Sequence, residues 1–301
     1  MLQHAIWSGT RDPNDGTAER EWHKVGLQNT DAQLGPDVRW RPRPTGPSPG
    51  RPGTLRYLLD IDTDLAEGLD SRLRLVARPA ATAVVFDTDT GEVELSTALS
   101  RTADGPGLLV LSGVIATGVR VGDRVAAELL GAGDLLEPDE VESDELVVCM
   151  TEWRALEPVR FAMLDGAFAD RIRPWPQLTQ ALLRRVERRA HNLNVQRAIA
   201  SQPRLELRLT LLLWHLASRW GRVEPGGIRL PLPLTHQLLG RLIGAERPSV
   251  SHALARLSRA GAVTGHGDEW HLHGKVEELL GLLDHPGEGV APLIARVGRP
   301  G

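Results

Sequence analysis

The sequence of 301 residues holds one cysteine, Cys149. A single thiol excludes an intramolecular disulfide and an iron–sulfur cluster held by the cysteines of one chain. Cys149 lies in the apolar run Leu146-Val-Val-Cys-Met and is expected to be a buried structural thiol. No apolar stretch approaches the roughly 20 residues that a membrane-spanning helix needs. The N-terminus lacks a basic segment followed by an apolar core, so no secretory signal is evident and a cytoplasmic location is expected. Gly-x-Ser-x-Gly, His-Glu-x-x-His, a Walker loop and a dinucleotide fingerprint are absent too. Asp165 and His191 lie far apart with no nameable nucleophile, so the sequence does not read as an enzyme. No cofactor or metal site is expected. His191, amid Arg188, Arg189 and Asn192, has no second close His or Cys. The acidic run Glu137, Asp139, Glu140, Glu142, Asp144, Glu145 lacks the spacing and glycine of an EF-hand loop and reads as a solvated loop.

What is present is ordinary globular composition, 41% hydrophobic and 25% charged, with a formal net charge of −4. The whole chain is therefore not basic, but its charge is uneven. Between Arg204 and Arg259 arginine outnumbers Asp and Glu, and six histidines lie between His215 and His273. A nucleic-acid-binding end can be basic within a chain that is not.

Residues 1–53 show no apolar period and end in a Pro/Gly-rich linker, Arg41-Pro-Arg-Pro-Thr-Gly-Pro-Ser-Pro-Gly-Arg-Pro-Gly, which is expected to be disordered. Trp7, Trp22 and Trp40 are unusual in such a segment. Leu55 to Ala77 carries helical spacing. Short strand-like runs follow: Ala83-Val-Val-Phe, Glu92-Val-Glu-Leu, Gly107-Leu-Leu-Val-Leu, Ile115 to Val121, Arg124 to Leu130, Leu146 to Met150 and Pro158 to Leu164. Val121-Gly-Asp-Arg is a hairpin turn. So many short strands predict an antiparallel roll or barrel. A long helix is expected from Trp175 to Ala200, with Leu178, Leu182, Val186 and Leu193 along one side, then another from Arg204 to Trp220.

Thr235 to Gly261 is the most informative stretch. Thr235 is a good N-cap after Leu-Pro-Leu-Pro-Leu, and Leu238, Leu239 and Leu242 share one face. Gly244 ends this short helix. A second begins about Glu246 or Arg247 with Pro248 in its first turn. Val250, Ala253, Leu254 and Leu257 point inward; Ser251, His252, Arg256 and Arg259 point outward, with Arg247 at the tip. Two strand-like runs flank His266-Gly267-Asp268 and predict a wing. The pattern is a winged helix-turn-helix.

Thr235, Gln237, Gly240, Gly244, Arg247, Ser249, Val250 and His266-Gly267 together resemble the DNA-binding end of the Crp/Fnr superfamily, and the likeness extends more weakly back to about Leu58. The resemblance implies an α+β fold. Its expected parts are an N-terminal extension and linker (1–53), a β-roll like that of cyclic-nucleotide-binding domains (54–174), a dimerisation helix (175–202), a winged helix-turn-helix (203–283) and a tail (284–301). It implies a homodimeric transcription regulator on palindromic double-stranded DNA, paired through Leu178, Leu182, Val186 and Leu193, with RNA polymerase a candidate further partner. Arg247 matches the family's guanine-reading arginine; His252 and Ser251 are the other expected base contacts. Thr235, His236, Gln237, Ser249 and His266 are the expected phosphate contacts. The chain departs from the family where a cyclic phosphate would bind: Gly133-Asp134 is followed by an acidic run without the cradle's glycine and arginine, and Leu193-Asn194 replaces the purine-reading Thr-Ser pair. Cyclic AMP and cyclic GMP are not expected as ligands, and the effector stays unidentified. A ligand-binding or protein-interaction module whose winged helix no longer binds DNA is the alternative reading.

Overall fold

The structure is a computed structural model that describes residues 53–137, 149–266 and 268–274. The first strand, β1 (Thr54–Tyr57), is followed by α1 (Leu58–Ile61), a 3₁₀ turn (Thr63–Ala66) and α2 (Ser71–Ala77). The spacing over Leu55 to Ala77 predicts one helix, and the chain breaks it. Thr54–Tyr57 pairs with β2 (Thr82–Thr88), and the carboxylates of Asp62 and Asp70 accept from the N–H groups of Leu65 and Leu73, so that each caps a fresh start. There follow β3 (Gly91–Val93), α3 (Ser96–Ser100), β4 (Gly107–Ser112), β5 (Val114–Val121), β6 (Arg124–Gly131), β7 (Leu135–Leu136), β8 (Cys149–Ala155) and β9 (Val159–Leu164). They form two antiparallel sheets, in the orders β1-β2-β9-β4-β7 and β3-β8-β5-β6. The expected turn at Val121-Gly-Asp-Arg joins β5 to β6, with Val121 opposite Arg124 and Gly122 at φ 59°. The acidic run from Asp139, the start of the Leu146–Met150 strand, the linker before Gly53 and the C-terminal tail lie outside the described residues.

Alternation along the strands decides where each side chain goes. Leu108 and Val110 of β4, Ile115 of β5 and Leu130 of β6 meet Phe161 between the two sheets, and Phe86 stacks on Phe161 with ring centroids 5.4 Å apart. Leu109 and Ala162 face the other way, towards Leu58, Leu59 and Phe168. Cys149 is exposed, which corrects the buried-thiol expectation. It pairs with Val121 at the tip of the β5–β6 hairpin.

The helical half continues with α4 (Gly166–Ile172), α5 (Pro176–Ala200) and α6 (Leu205–Trp220). Next come β10 (Arg222–Glu224), β11 (Gly227–Leu230), α7 (His236–Ile243), α8 (Arg247–Arg259), β12 (Val263–His266) and β13 (Glu269–His273). The wing is larger than the sequence predicts, a four-stranded sheet ordered β10-β11-β13-β12.

One apolar core spans both halves of the chain. Val114, Ala116, Ala127 and Leu129, on the outer face of β5 and β6, pack with Leu209 and Leu213 of α6 and with Leu239 and Leu242 of α7. Gln196 of α5 ties the same junction, its amide donating to the Ala127 carbonyl at 2.6 Å and the Leu242 carbonyl at 2.9 Å.

The face assignment of α5 is corrected. Leu178 and Leu182 are 0% and 5% exposed and belong to the core against the roll, so they are not available to a partner. The same inward stripe carries Arg185, held by Asp62 at 2.5 Å and 2.7 Å, and Arg189, paired with Glu128. Paired arginines make that stripe look polar in sequence, which is why apolar spacing alone misplaced it. The outward stripe is Thr179, Leu183, Val186, Ala190, Leu193 and Arg197, with Leu183 58%, Val186 37% and Leu193 40% exposed.

Gly240 gives this packing a direct test. A Cβ there would lie 2.3 Å from the Ala245 carbonyl oxygen, backbone that closes the turn between α7 and α8. Gly240→Ala is expected to cost about 1–3 kcal/mol, read as a lower denaturant midpoint at unchanged slope.

Candidate nucleic-acid interface

Thr235 begins the site. Its backbone is extended, and its hydroxyl accepts from the Leu238 N–H at 3.1 Å, so it caps α7 as expected. Leu238, Leu239, Leu242 and Ile243 bury one face of α7. Gly244 adopts φ 68°, the left-handed conformation that turns the chain into α8. Pro248 sits in the first turn of α8, and Val250, Ala253, Leu254 and Leu257 anchor its inner side. This apolar stripe sets which side chains remain outside.

The outer face presents Arg247, Ser249, His252, Arg256 and Arg259, all exposed. They are not electrostatically equivalent. Arg256 pairs with Glu206 of α6, and Arg259 donates to the Ala255 carbonyl at 3.3 Å. The Arg247 guanidinium makes no hydrogen bond or ion pair among the described residues, and the residue stands at the first position of the helix. A helix N-terminus is electropositive, so Arg247 adds an exposed guanidinium to a fixed positive end. A planar guanidinium at a helix tip that fits the major groove has the geometry for bidentate pairing with guanine.

Ser251 is placed differently from the sequence expectation. It is half-buried, its hydroxyl donates to the Arg247 carbonyl at 3.0 Å, and it lies 2.8 Å from Nδ1 of His236. The two residues therefore knit α7 to α8. Thr235 and Gln237 are exposed at the start of α7. The backbone of His266 pairs with Glu269 at the end of the wing hairpin.

Two shallow depressions flank this surface. One, about 310 Å³, lies between the wing and the start of α7 and is lined by Pro233, Thr235, His236, Gly265, Asp268 and Trp270. The other, about 250 Å³, lies between the wing and α8, with Ser251, Ser258 and Trp270 in its wall. The sequence missed one participant, Arg124 of the β5–β6 hairpin, which pairs with Glu246 immediately before α8. A contact between residues 122 positions apart leaves no local signal.

The structural and contacting residues separate by substitution. Thr235→Ala removes the cap and is expected to lower stability by about 1 kcal/mol. Ser249→Ala removes an exposed hydroxyl and is expected to stay within about 0.5 kcal/mol of the parent in the same unfolding titration.

Comparison with known proteins agrees with this geometry. Residues 207–273 match the family of Crp-like helix-turn-helix domains. The CRP-like cAMP-activated global transcriptional regulator of Mycobacterium tuberculosis (strain ATCC 25618 / H37Rv) is 29% identical over 161 residues, covering 51% of this chain and 69% of that protein. Among solved structures, a CooA mutant from Carboxydothermus hydrogenoformans aligns with a TM-score of 0.52 at 19% identity, covering 73% of this chain and 96% of the other. A cyclic nucleotide-binding domain containing protein from Listeria monocytogenes EGD-e aligns at 0.51 and 14% identity, covering 63% and 88%. These structural likenesses are of fold. Residues 207–273 thus match Crp-like helix-turn-helix domains, and the roll, the long helix and the wing are similar in fold to these proteins.

Proposed function

We propose that the chain is a homodimeric, sequence-specific DNA-binding regulator that reads a palindromic operator with α8. The observation that carries this reading is Arg247, whose guanidinium is unpaired among the described residues and stands at the exposed N-terminus of a helix whose other side is locked into an apolar core. Arg247 is assigned the main base contact, to a guanine in each half-site. Exposed His252 reaches the groove one turn further along, while Ser251 acts mainly by holding His236. Thr235, Gln237 and Ser249 are assigned to phosphates, where hydroxyl and amide donors position without specifying. His236 and His266 are assigned to the same backbone track.

The dimer is assigned to the outward stripe of α5. Positions 179, 183, 186, 190, 193 and 197 alternate steps of four and three, the spacing of a two-stranded coiled coil. This keeps Val186 and Leu193 from the sequence-based seam and substitutes Leu183 for Leu178 and Leu182. A two-fold pair of recognition helices doubles the bases read and calls for half-sites one helical turn apart.

The roll, residues 54–174, is assigned a sensor or scaffold role without cyclic AMP or cyclic GMP. The relative from Mycobacterium tuberculosis is by its name cAMP-activated; two features argue against carrying that over. Three arginines beside the β6–β7 turn are already neutralised: Arg219 is 2.6 Å from buried Asp134, Arg189 pairs with Glu128, and Arg185 with Asp62, while Arg188 also approaches Gly133. The space between the sheets is filled by Leu108, Val110, Ile115, Leu130 and Phe161.

Arg247→Ala is expected to cost about 1–3 kcal/mol per half-site and to relax preference at the guanine, measured by mobility-shift competition between matched and guanine-substituted duplexes. Unchanged affinity and preference would refute the recognition-helix assignment. Leu183→Glu or Leu193→Glu is expected to give monomers in sedimentation, while Leu182→Glu should instead unfold the chain; a wild-type monomer with and without DNA would refute the dimer.

A further inference from the structure

The residue that precedes the recognition helix is an acid, which is electrostatically odd. Glu246 is the N-cap of α8, yet its carboxylate accepts no hydrogen bond from the first turn. It is exposed, and the next residue is Arg247, the guanidinium that the proposed function needs free. Left alone, a carboxylate here does two harmful things. It attracts Arg247 away from a base, and it repels the phosphates that a helix N-terminus approaches. Glu246 is not left alone. Arg124, at the start of β6, reaches it as an ion partner, with side chains 69% and 65% exposed.

An ion pair that exposed contributes little to stability. Its position is what matters, because Arg124 does not hang from a loose loop. It closes the two-residue turn of the β5–β6 hairpin, opposite Val121. The hairpin is fixed from both sides. Glu152 of β8 accepts from Arg120 at 2.9 Å and from Arg241 of α7 at 2.7 Å, so the sheet is tied to the helix that precedes the recognition helix. Ala127 and Leu129 sink into the core shared with Leu239 and Leu242. The turn therefore presents the Arg124 guanidinium to Glu246 at a set place.

We infer that Arg124 is a positioning residue for DNA recognition: from the roll, it ties off the Glu246 carboxylate so that Arg247 and the N-terminus of α8 are available to DNA. The inference rests on the proposed DNA-binding function and adds the route by which the roll acts on it. Any displacement of the β5–β6 hairpin releases Glu246 and weakens binding, without Arg124 touching DNA and without the recognition helix moving.

The test is a double-mutant cycle on the full-length protein, with a duplex selected from a random pool by the wild type. Arg124→Ala is expected to weaken binding about threefold to tenfold for a dimer on two half-sites. Arg124→Lys should keep most of the affinity. Glu246→Gln alone should bind at least as tightly as the wild type, and adding Arg124→Ala to Glu246→Gln should change nothing further. Thermal unfolding of all five proteins within a degree or two of one another would show that the effect lies in recognition and not in folding. Equal losses from Arg124→Ala in both backgrounds would mean that Arg124 meets DNA itself, and no loss in either would mean that it is idle; each overturns the inference and leaves DNA binding intact. A wild type that selects no duplex overturns both.

Discussion

The structure depends on the later part of strand β6, Ala127 to Gly131, being covered on both faces. Its inward residue Leu130 belongs to the core between the two sheets, while Ala127 and Leu129 belong to the core built with α6, α7 and α8. A strand covered on both sides becomes a nearly continuous apolar run, as Val125-Ala-Ala-Glu-Leu-Leu is. Its one acid, Glu128, is matched by Arg189 of α5. At the end of the strand Gly131 leaves room for Trp220, whose ring would sit 3.0 Å from a Cβ there, and buried Asp134 holds the Gly131 N–H at 2.8 Å and Arg219 at 2.6 Å. The roll and the winged helix are thus joined by apolar contact with a polar seam around it, and the direction of the recognition helix follows from how β6 is packed.

The helix-turn-helix was legible because its signals are local. Thr235 caps α7, Gly244 takes the left-handed turn, Gly261 closes α8 at φ 66°, and four apolar residues at helical spacing fill the inner side. The roll strands were legible for the same reason, each an apolar run bounded by turn residues. What failed depended on distant partners. Arg222-Val-Glu and Gly227-Ile-Arg-Leu are too short to announce themselves, and β11 exists because it pairs with β13. The face of α5 was misjudged because Asp62 and Glu128, far away in sequence, make Arg185 and Arg189 compatible with an inward position. Thr54 to Tyr57 followed its pairing with β2 and not its helical spacing. Of the expected interface, the structure keeps Arg247, Ser249 and His252 outward and draws Ser251 and His236 together.

Charge placement accounts for how a chain of net charge −4 can offer a nucleic-acid surface. Four arginines of the helical half, Arg189, Arg219, Arg229 and Arg256, are paired internally, by Glu128, by Asp134, by Glu224 and Glu269, and by Glu206. Internal pairing spends positive charge on orientation and leaves little for indiscriminate attraction. Among the described residues, what remains at the tip of α8 is the unpaired Arg247 guanidinium beside Glu246, which Arg124 neutralises. On the proposed function, such a surface would favour readout at few bases over non-specific adhesion.

The most direct measurement is selection of duplexes from a random pool by the full-length protein, followed by titration of the enriched duplex against salt. The account predicts a two-fold symmetric motif with a guanine in each half, half-sites one helical turn apart, and an affinity that falls steeply as salt rises because counterions are released from the phosphates. A pool that enriches no motif, or binding indifferent to salt, would contradict it.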